Sequence, residues 1–468
     1  MRRFMAAYCA GKRTTVPDSA MQPRVRRLLI VSPRFPPRNA PDHHRIRASL
    51  PYYRRFGWEP TVLCVSSATS DSLDDPWLAA SVPADVRVVP VPAWDEGQCR
   101  RFGFGHLDYR CLGPLYAAGV KLLKQAEFEV VFFSTTVFPS FLLGPLWKRR
   151  FACRVVYDFQ DPWFHGGALL YTRETVPGKW WKYRVGQMLA RRGESLTLRA
   201  ADHIISVSDG YVSTLSTRYP WLDRSKFTVL PFGVAQEDFD FVRRQNIRHE
   251  VFAPDRDRVR WVYAGRIGPD MYPVLDVLFR QLAALKRAQP ELAQRLDVFF
   301  VGTNYSPAHR SFKVVEPLAR HHGVADMVIE HSERIPYFQV LSLYCESDGI
   351  LLIGSHSSDY TASKFFNCVL ARRPLVALFH ADSLVSRIAS SFSNVCVSSF
   401  QSDPSEPAFS ETVARGLRWL ATSSFDASTI EQQLASWSAE QFTRAQCAIF
   451  DRLLDGEAFD AASSCRTL

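Results

Sequence analysis

Gly265-Arg266 directly follows the apolar run VRWVYA. Glycine lets a backbone approach a phosphate closely, and arginine forks onto phosphate oxygens. The same pair would also make a plain strand-end turn with a solvated arginine. Further on, SDYTASKFFNCVLARRPLVALF reads as a polar turn, a helix opening at Ser363-Lys364, and a strand. The free N–H groups of such a helix start favour an anion; a serine cap with a solvated lysine is the plainer alternative. Asp359 and Asn367 bracket that start, eight positions apart, where they would flank a sugar attached to a bound phosphate. Asp158 and Asp161 lie at the end of a third apolar run, in RVVYDFQDPW, where an aspartate before proline also caps a turn. Finally, SPRFPPRNAPDHHR crowds Arg34, Arg38, His43, His44 and Arg45 into one loop, suited to an acidic or phosphate-bearing partner or else to plain solvation.

These residues need rigid elements behind them. Thirteen short β-branched and aromatic runs alternate with helical stretches, from RRLLIVSP and PTVLCVS to PLVALF and NVCVSS. Near-continuous apolar strands separated by helices indicate parallel sheets buried on both faces. The runs form two series, so the expected fold class is α/β with two doubly wound, Rossmann-like parallel-sheet domains facing a cleft. The expected divisions are a basic, disordered tail at 1–26, a first domain at 27–232, a charged linker at 233–258, a second domain at 259–423, and a helical segment and tail at 424–468.

At 468 residues the chain exceeds one ordinary core. Its 47% hydrophobic and 22% charged residues are globular values. No apolar run reaches the roughly 18 residues of a membrane span. Ten scattered cysteines without a Cys-x-x-Cys pair point to reduced thiols and a cytoplasmic setting. The doublets His43-His44 and His321-His322 lack metal-ligand spacing, so no metal is expected. The net charge of +10 is local: residues 1–56 hold 13 Lys and Arg against 2 Asp and Glu, and the remainder holds 44 against 45. A basic face there would suit anionic lipid, a phosphorylated substrate or nucleic acid. No zinc-finger, RRM or KH pattern supports nucleic acid. Trp180-Trp181 with Lys179, Lys182 and Arg184 makes a basic aromatic cluster that either rests on a membrane interface or packs in the core. Glu194 reads as a residue near the cleft or a salt-bridge partner.

Five stretches together resemble the GT-B-fold glycosyltransferases, most closely the retaining group called family 4. They are LLIVSPRFPP with YYRRFGWEPTVLCV, RVVYDFQDPW, ESLTLRAADHIISVSDGYVSTL with FTVLPFGV, WVYAGRIGP, and DYTASKFFNCVLARRPLVA. The resemblance covers roughly residues 27 to 450. It implies a nucleotide-sugar donor on the second domain, held by Gly265, Arg266, Asp359, Ser363, Lys364 and Asn367. It implies a glycan, lipid-linked or small-molecule acceptor on the first domain, near Arg38, His43, His44 and Arg45. Transfer would proceed with retention and without a metal or other cofactor, with Asp161, then Asp158, as candidate base. A role in cell-envelope or exopolysaccharide assembly, at the inner face of the cytoplasmic membrane with peripheral contact to anionic lipid, follows from the same resemblance. The chain departs from the family in three places. Met271 and Tyr272 stand where a lysine and glycine are usual, Asn367 replaces a ribose-binding glutamate, and the first loop lacks a Gly-Gly pair. These departures motivate the alternative of a degenerate GT-B protein that binds glycan or lipid without turnover. An epimerase or phosphorylase of the same fold is a third reading, without a specific signature.

Overall fold

The computed structural model describes residues 25–67, 74–161, 163–164, 180–304, 312–356, 363–423, 427–457 and 459. The tail expected at 1–26 therefore lies outside the described residues except at its end, where Arg26 already begins a strand. All thirteen apolar runs form strands. In the first sheet these are β1 (Arg26–Val31), β2 (Trp58–Val65), β3 (Arg87–Val91), β4 (Val130–Ser134), β5 (Arg154–Phe159), β6 (His203–Ser206) and β7 (Phe227–Val229). The second holds β8 (Val259–Ala264), β9 (Leu296–Val301), β10 (Val328–His331), β11 (Gly349–Ile353), β12 (Leu375–His380) and β13 (Val395–Phe400).

The sheet orders are β3-β2-β1-β4-β5-β6-β7 and β10-β9-β8-β11-β12-β13. Every pairing is parallel. Parallel strands require crossovers, and these place helices on both faces, which is why the strands read as apolar throughout. Strand order reverses between β1 and β4 in the first sheet and between β8 and β11 in the second. Such switch points open a crevice at the carboxyl ends of the strands. The loops after β1 and β4 carry Ser32–His43 and Thr135-Thr136; the loop after β8 carries Gly265-Arg266.

Two features depart from the expected divisions. Within the presumed linker, Gln236–Gln245 form a helix that buries Asp238, Phe239 and Val242. Its charged residues hide a short apolar stripe, and that stripe joins the core of the second lobe. The last helix, Ala439–Asp455, does not stay with the second sheet. Phe442, Cys447, Ile449 and Phe450 complete the core around Leu28, Ile30, Trp58 and Phe132 of the first lobe. The chain thus crosses between lobes twice, and the crossings are tied. Val234 N–H donates to Trp437 O and Ala439 N–H donates to Val234 O, each at 2.7 Å.

Among the described residues of the basic N-terminal stretch, most of the arginines are paired with carboxylates. Arg26, Arg34, Arg45, Arg47, Arg54 and Arg55 pair with Asp451, Asp108, Asp158, Asp238, Glu59 and Glu440 respectively. The eight described cysteines are free thiols. Among the described residues no helix is long and apolar enough to cross a membrane.

Candidate active site

The second-lobe wall is built from the end of β8 outward. Gly265 adopts φ 147°, a conformation that favours glycine, and a β-carbon there would collide with the Lys364 ammonium. Lys364 Nζ donates to Ala264 O at 2.9 Å and to Tyr263 Oη at 3.1 Å, and lies 4.2 Å from the Tyr263 ring centroid. The side chain is partly accessible yet walled closely by protein. Burial is the main reason its pKa falls to about 8; Arg266 adds to the fall and Cys368 opposes it. Arg266 packs over Gly268 and pairs with Asp270 at 3.2 Å.

Ser363-Lys364 does not open a long helix. The helix is Phe365–Leu370, six residues, with Lys364 at its N-cap and no side-chain cap bond. An anion here would be held by the lysine charge rather than by a helix terminus. Asp359 lies outside the described residues. Met271, at the position of the missing lysine, is fully buried in the second-lobe core, so a charge at this position would face apolar neighbours.

Asn367 belongs to a chain of polar contacts. Its Nδ2 donates to Tyr337 Oη at 3.3 Å, and Tyr337 Oη donates to Asp238 Oδ2 at 2.8 Å. Arg47 grips both Asp238 oxygens, at 2.6 and 2.5 Å, and lies 5.2 Å from the Tyr337 ring centroid. Burial opposes the Arg47 charge, but the Asp238 carboxylate more than offsets it and holds the guanidinium protonated. Arg47, Asp238 and Tyr337 carry no local motif, and sequence spacing did not point to them.

On the first lobe, the two candidate aspartates have opposite surroundings. Asp158 is fully buried. Its Oδ2 accepts from Ser134 Oγ at 2.7 Å and Gln160 Nε2 at 3.0 Å, and pairs with Arg45 Nε at 2.8 Å. That makes it a structural anchor, not a base facing a substrate. Asp161 is exposed at the surface although protein surrounds it closely. Burial, then the neighbouring Asp42 carboxylate, raises its pKa to about 6; a hydrogen bond from Tyr211 and the Arg266 charge pull the other way. Asp161 therefore lies within electrostatic reach of Arg266 across the lobes. Asp42, which the sequence reading passed over, is buried between Thr135 and Thr136. Its Oδ2 accepts from Thr135 Oγ1 at 2.7 Å and Thr136 N at 3.0 Å, and its Oδ1 has no hydrogen-bond partner among the described residues.

The expected acceptor-side cations are corrected by their burial. Arg45 also donates to the Leu230 and Pro231 carbonyls, at 2.7 and 3.2 Å, and so fastens helix His44–Ser49 to the end of β7. Arg38 is 1% exposed and donates to Ser66 O at 2.6 Å; burial lowers its pKa. His43 contacts Arg38 O through Nε2 at 2.9 Å. Burial, then Arg47, brings the His43 pKa down to about 4. The His44 ring lies 4.2 Å from that of Tyr337, tilted by 37°, and burial first, then neighbouring His43 and Arg47, lowers its pKa well below the usual histidine value. Arg38 and His43 are thus interior supports, while His44 and Arg45 border the cleft. Glu194 is likewise structural: fully buried, it pairs with Arg218 at 2.6 Å and accepts from Tyr219 Oη at 3.0 Å.

Between the lobes lies a cavity of about 210 Å³. Arg45, Arg47, Arg266, Arg334 and Lys364 line it, against one carboxylate, Asp238. Arg45 and Arg47 have buried anionic partners and Arg266 pairs with Asp270; the second-lobe wall still gathers Arg266, Arg334 and Lys364, cations of a kind that suits a phosphate-bearing ligand. Among the described residues no group of three or more His, Cys, Asp or Glu is arranged to hold a metal ion.

Residues 43–233 match the family model described as Glycosyl transferase 4-like domain. The chain is 31% identical over 176 residues to the D-inositol 3-phosphate glycosyltransferase of Nocardiopsis dassonvillei, which covers 36% of this chain and 40% of that protein. It therefore spans less than half the length of that relative. Over the whole fold it resembles the UDP-forming alpha,alpha-trehalose-phosphate synthase from Burkholderia xenovorans in complex with glucose-6-phosphate. There the TM-score is 0.61 and the identity 10%, over 91% of this chain and 100% of that one. It also resembles Anabaena Alr3699/HepE in complex with UDP and glucose, with a TM-score of 0.52 and 13% identity over 94% and 97% of the two chains. At these identities the structural likenesses establish the two-domain fold.

Proposed function

We propose that this chain, GT-B in fold and glycosyl transferase 4-like in its first domain, moves a glycosyl unit from a nucleotide-diphosphate sugar to an acceptor hydroxyl. The observation that carries the reading is the pairing of two switch points across one cavity. Arg266, Arg334 and Lys364 line the second-lobe side of that cavity, and Asp161, on the first lobe just past β5, feels the Arg266 charge. Departure of a nucleoside diphosphate leaves negative charge on phosphate oxygens, which Arg266 and Lys364 are placed to stabilise. The acceptor hydroxyl must lose a proton, and Asp161, with a pKa of about 6, can take it near neutral pH. Retention, a hexosyl donor, an acceptor that is a sugar phosphate, glycan or lipid-linked sugar, and a cytoplasmic role in envelope assembly belong to the same proposal. The similarity to a D-inositol 3-phosphate glycosyltransferase, and the glucose-6-phosphate in complex with the Burkholderia synthase, support a phosphorylated acceptor.

Calorimetry with UDP, GDP, ADP and TDP tests the donor side, with Arg266→Ala as control. Binding of one nucleotide, weakened at least tenfold by the substitution, is the expected result for loss of a charge-assisted phosphate contact. No binding by any of the four removes the proposal. One specific contact favours the second reading, binding without turnover: the Asn367 amide is engaged by Tyr337, where the family has a carboxylate for ribose. Nucleotide release from a nucleotide-sugar panel, dependent on Asp161, decides against it.

A further inference from the structure

The helix Trp180–Ala200 is 21 residues long, about 30 Å at 1.5 Å per residue. It packs on the first lobe through Ala190, Gly193, Glu194, Thr197 and Leu198. The opposite face is unusual in its chemistry. Every exposed residue of this helix is either apolar (Trp181, Val185, Met188, Leu189, Leu196) or cationic (Lys182, Arg184, Arg191, Arg192, Arg199). At helical spacing the apolar five fall within an arc of about 100°, which Arg192 and Arg199 share while Lys182, Arg184 and Arg191 border it; Trp181 and Leu196, the first and last of the five along the helix, are 59% and 56% exposed. The only acid of the helix, Glu194, is buried and neutralised by Arg218. Trp221, 43% exposed with Arg199 stacked 4.3 Å from its ring centroid, extends the surface past the helix end. Leu146, also exposed, adds to it from the helix Leu143–Lys148, which packs alongside.

An apolar stripe this long on a single exposed helix needs a cover, and the charge around it selects one. A second copy docking by this face would press two sets of cations together. An acceptor surface for the stripe must be apolar at depth and anionic at its rim. A bilayer with anionic headgroups has that profile: acyl chains for the aliphatic residues, the interface for tryptophan, phosphates for the lysine and arginines. We propose that the 180–200 helix docks the protein, lying in the plane of the surface, on an anionic membrane. The surface is broader than the Trp180-Trp181 pair visible in the sequence, and Trp180 itself is half-buried and packs on Tyr183. None of these residues lines the cavity between the lobes, so the inference stands apart from the proposed chemistry.

Vesicle flotation of the full chain tests it, with phosphatidylcholine alone and with phosphatidylcholine containing phosphatidylglycerol. The protein should float with the anionic vesicles, and less so as salt is raised. Replacing Trp181, Met188, Leu189 and Leu196 together by serine should lower partitioning roughly tenfold or more, as should Arg184→Glu with Arg192→Glu. Nucleotide binding by calorimetry should be unchanged in both variants, which separates loss of docking from loss of fold. A wild-type protein that stays in solution with anionic vesicles at low salt overturns the proposal. So does partitioning that neither variant alters, or a wild-type dimer that the serine variant converts to monomer in sedimentation.

Discussion

Asp158 and Asp161 are three positions apart and have different chemistry because strand geometry separates them. Asp158 is still within β5, paired in register with Ser134 of β4, so its carboxylate is held by the neighbouring strand. Asp161 has left the strand and is exposed. If it is the base, kcat/KM should rise with pH through about 6, since only the carboxylate accepts a proton and both burial and Asp42 hold it protonated below that. Asp161→Asn should lower kcat by roughly a hundredfold or more and abolish that limb. Lys364 gives the other limb. Its charge is present below a pKa of about 8, so nucleotide-diphosphate affinity should decline as pH rises past 8, and Lys364→Met should bind weakly at every pH. Calorimetry across pH 6 to about 9.5, on either side of a perturbed lysine, measures both. At this scale the sequence was half legible. Gly265, Arg266 and Lys364, singled out for their places after apolar runs, line the cavity, while Asp161, singled out in the same way, is not among its lining residues. The Arg47–Asp238 and Tyr337–Asp238 contacts join residues 191 and 99 positions apart, and no spacing rule reaches across such gaps.

The elements were easier to read than the side chains between them. Buried parallel strands announce themselves as apolar runs, and all thirteen did. The helix Gln236–Gln245 did not, because seven of its ten residues are polar or charged, and only Asp238, Phe239 and Val242 are buried on its inner face. The histidine and arginine loop misled for a related reason: a row of cations reads as a surface, while here elements packed around it supply the counter-charges. Arg45 with Asp158 is the clearest case, joining helix His44–Ser49, strand β5 and the end of β7. Asp158→Ala would leave Arg45 buried without its anion. The expected cost is about 3–5 kcal/mol of stability in denaturant unfolding. That distinguishes it from Asp161→Asn, which should unfold like the parent.

The lobes are joined by more than the cleft. The final helix closes the first lobe, and Phe450 sits with its ring centroid 5.4 Å from those of both Trp58 and Phe132. Phe450→Ala should cost about 3–5 kcal/mol, read as a lower unfolding midpoint of the first lobe, although the residue follows the second lobe in sequence. The 180–200 helix belongs to the first lobe while the cavity is shared by both, so the proposed docking would hold the first lobe at the surface, with the second joined to it through the crossing at Val234 and Ser438. That crossing also sets an order of assembly. During synthesis, the face formed by Leu28, Ile30 and Trp58 waits for residues more than 380 positions downstream. The second lobe can condense as soon as β13 and its following helix emerge, while the first, begun earlier, is finished last. A nascent chain of this architecture presents an uncovered apolar face through most of its translation, and its demand for chaperones should fall only when the 439–455 helix leaves the ribosome.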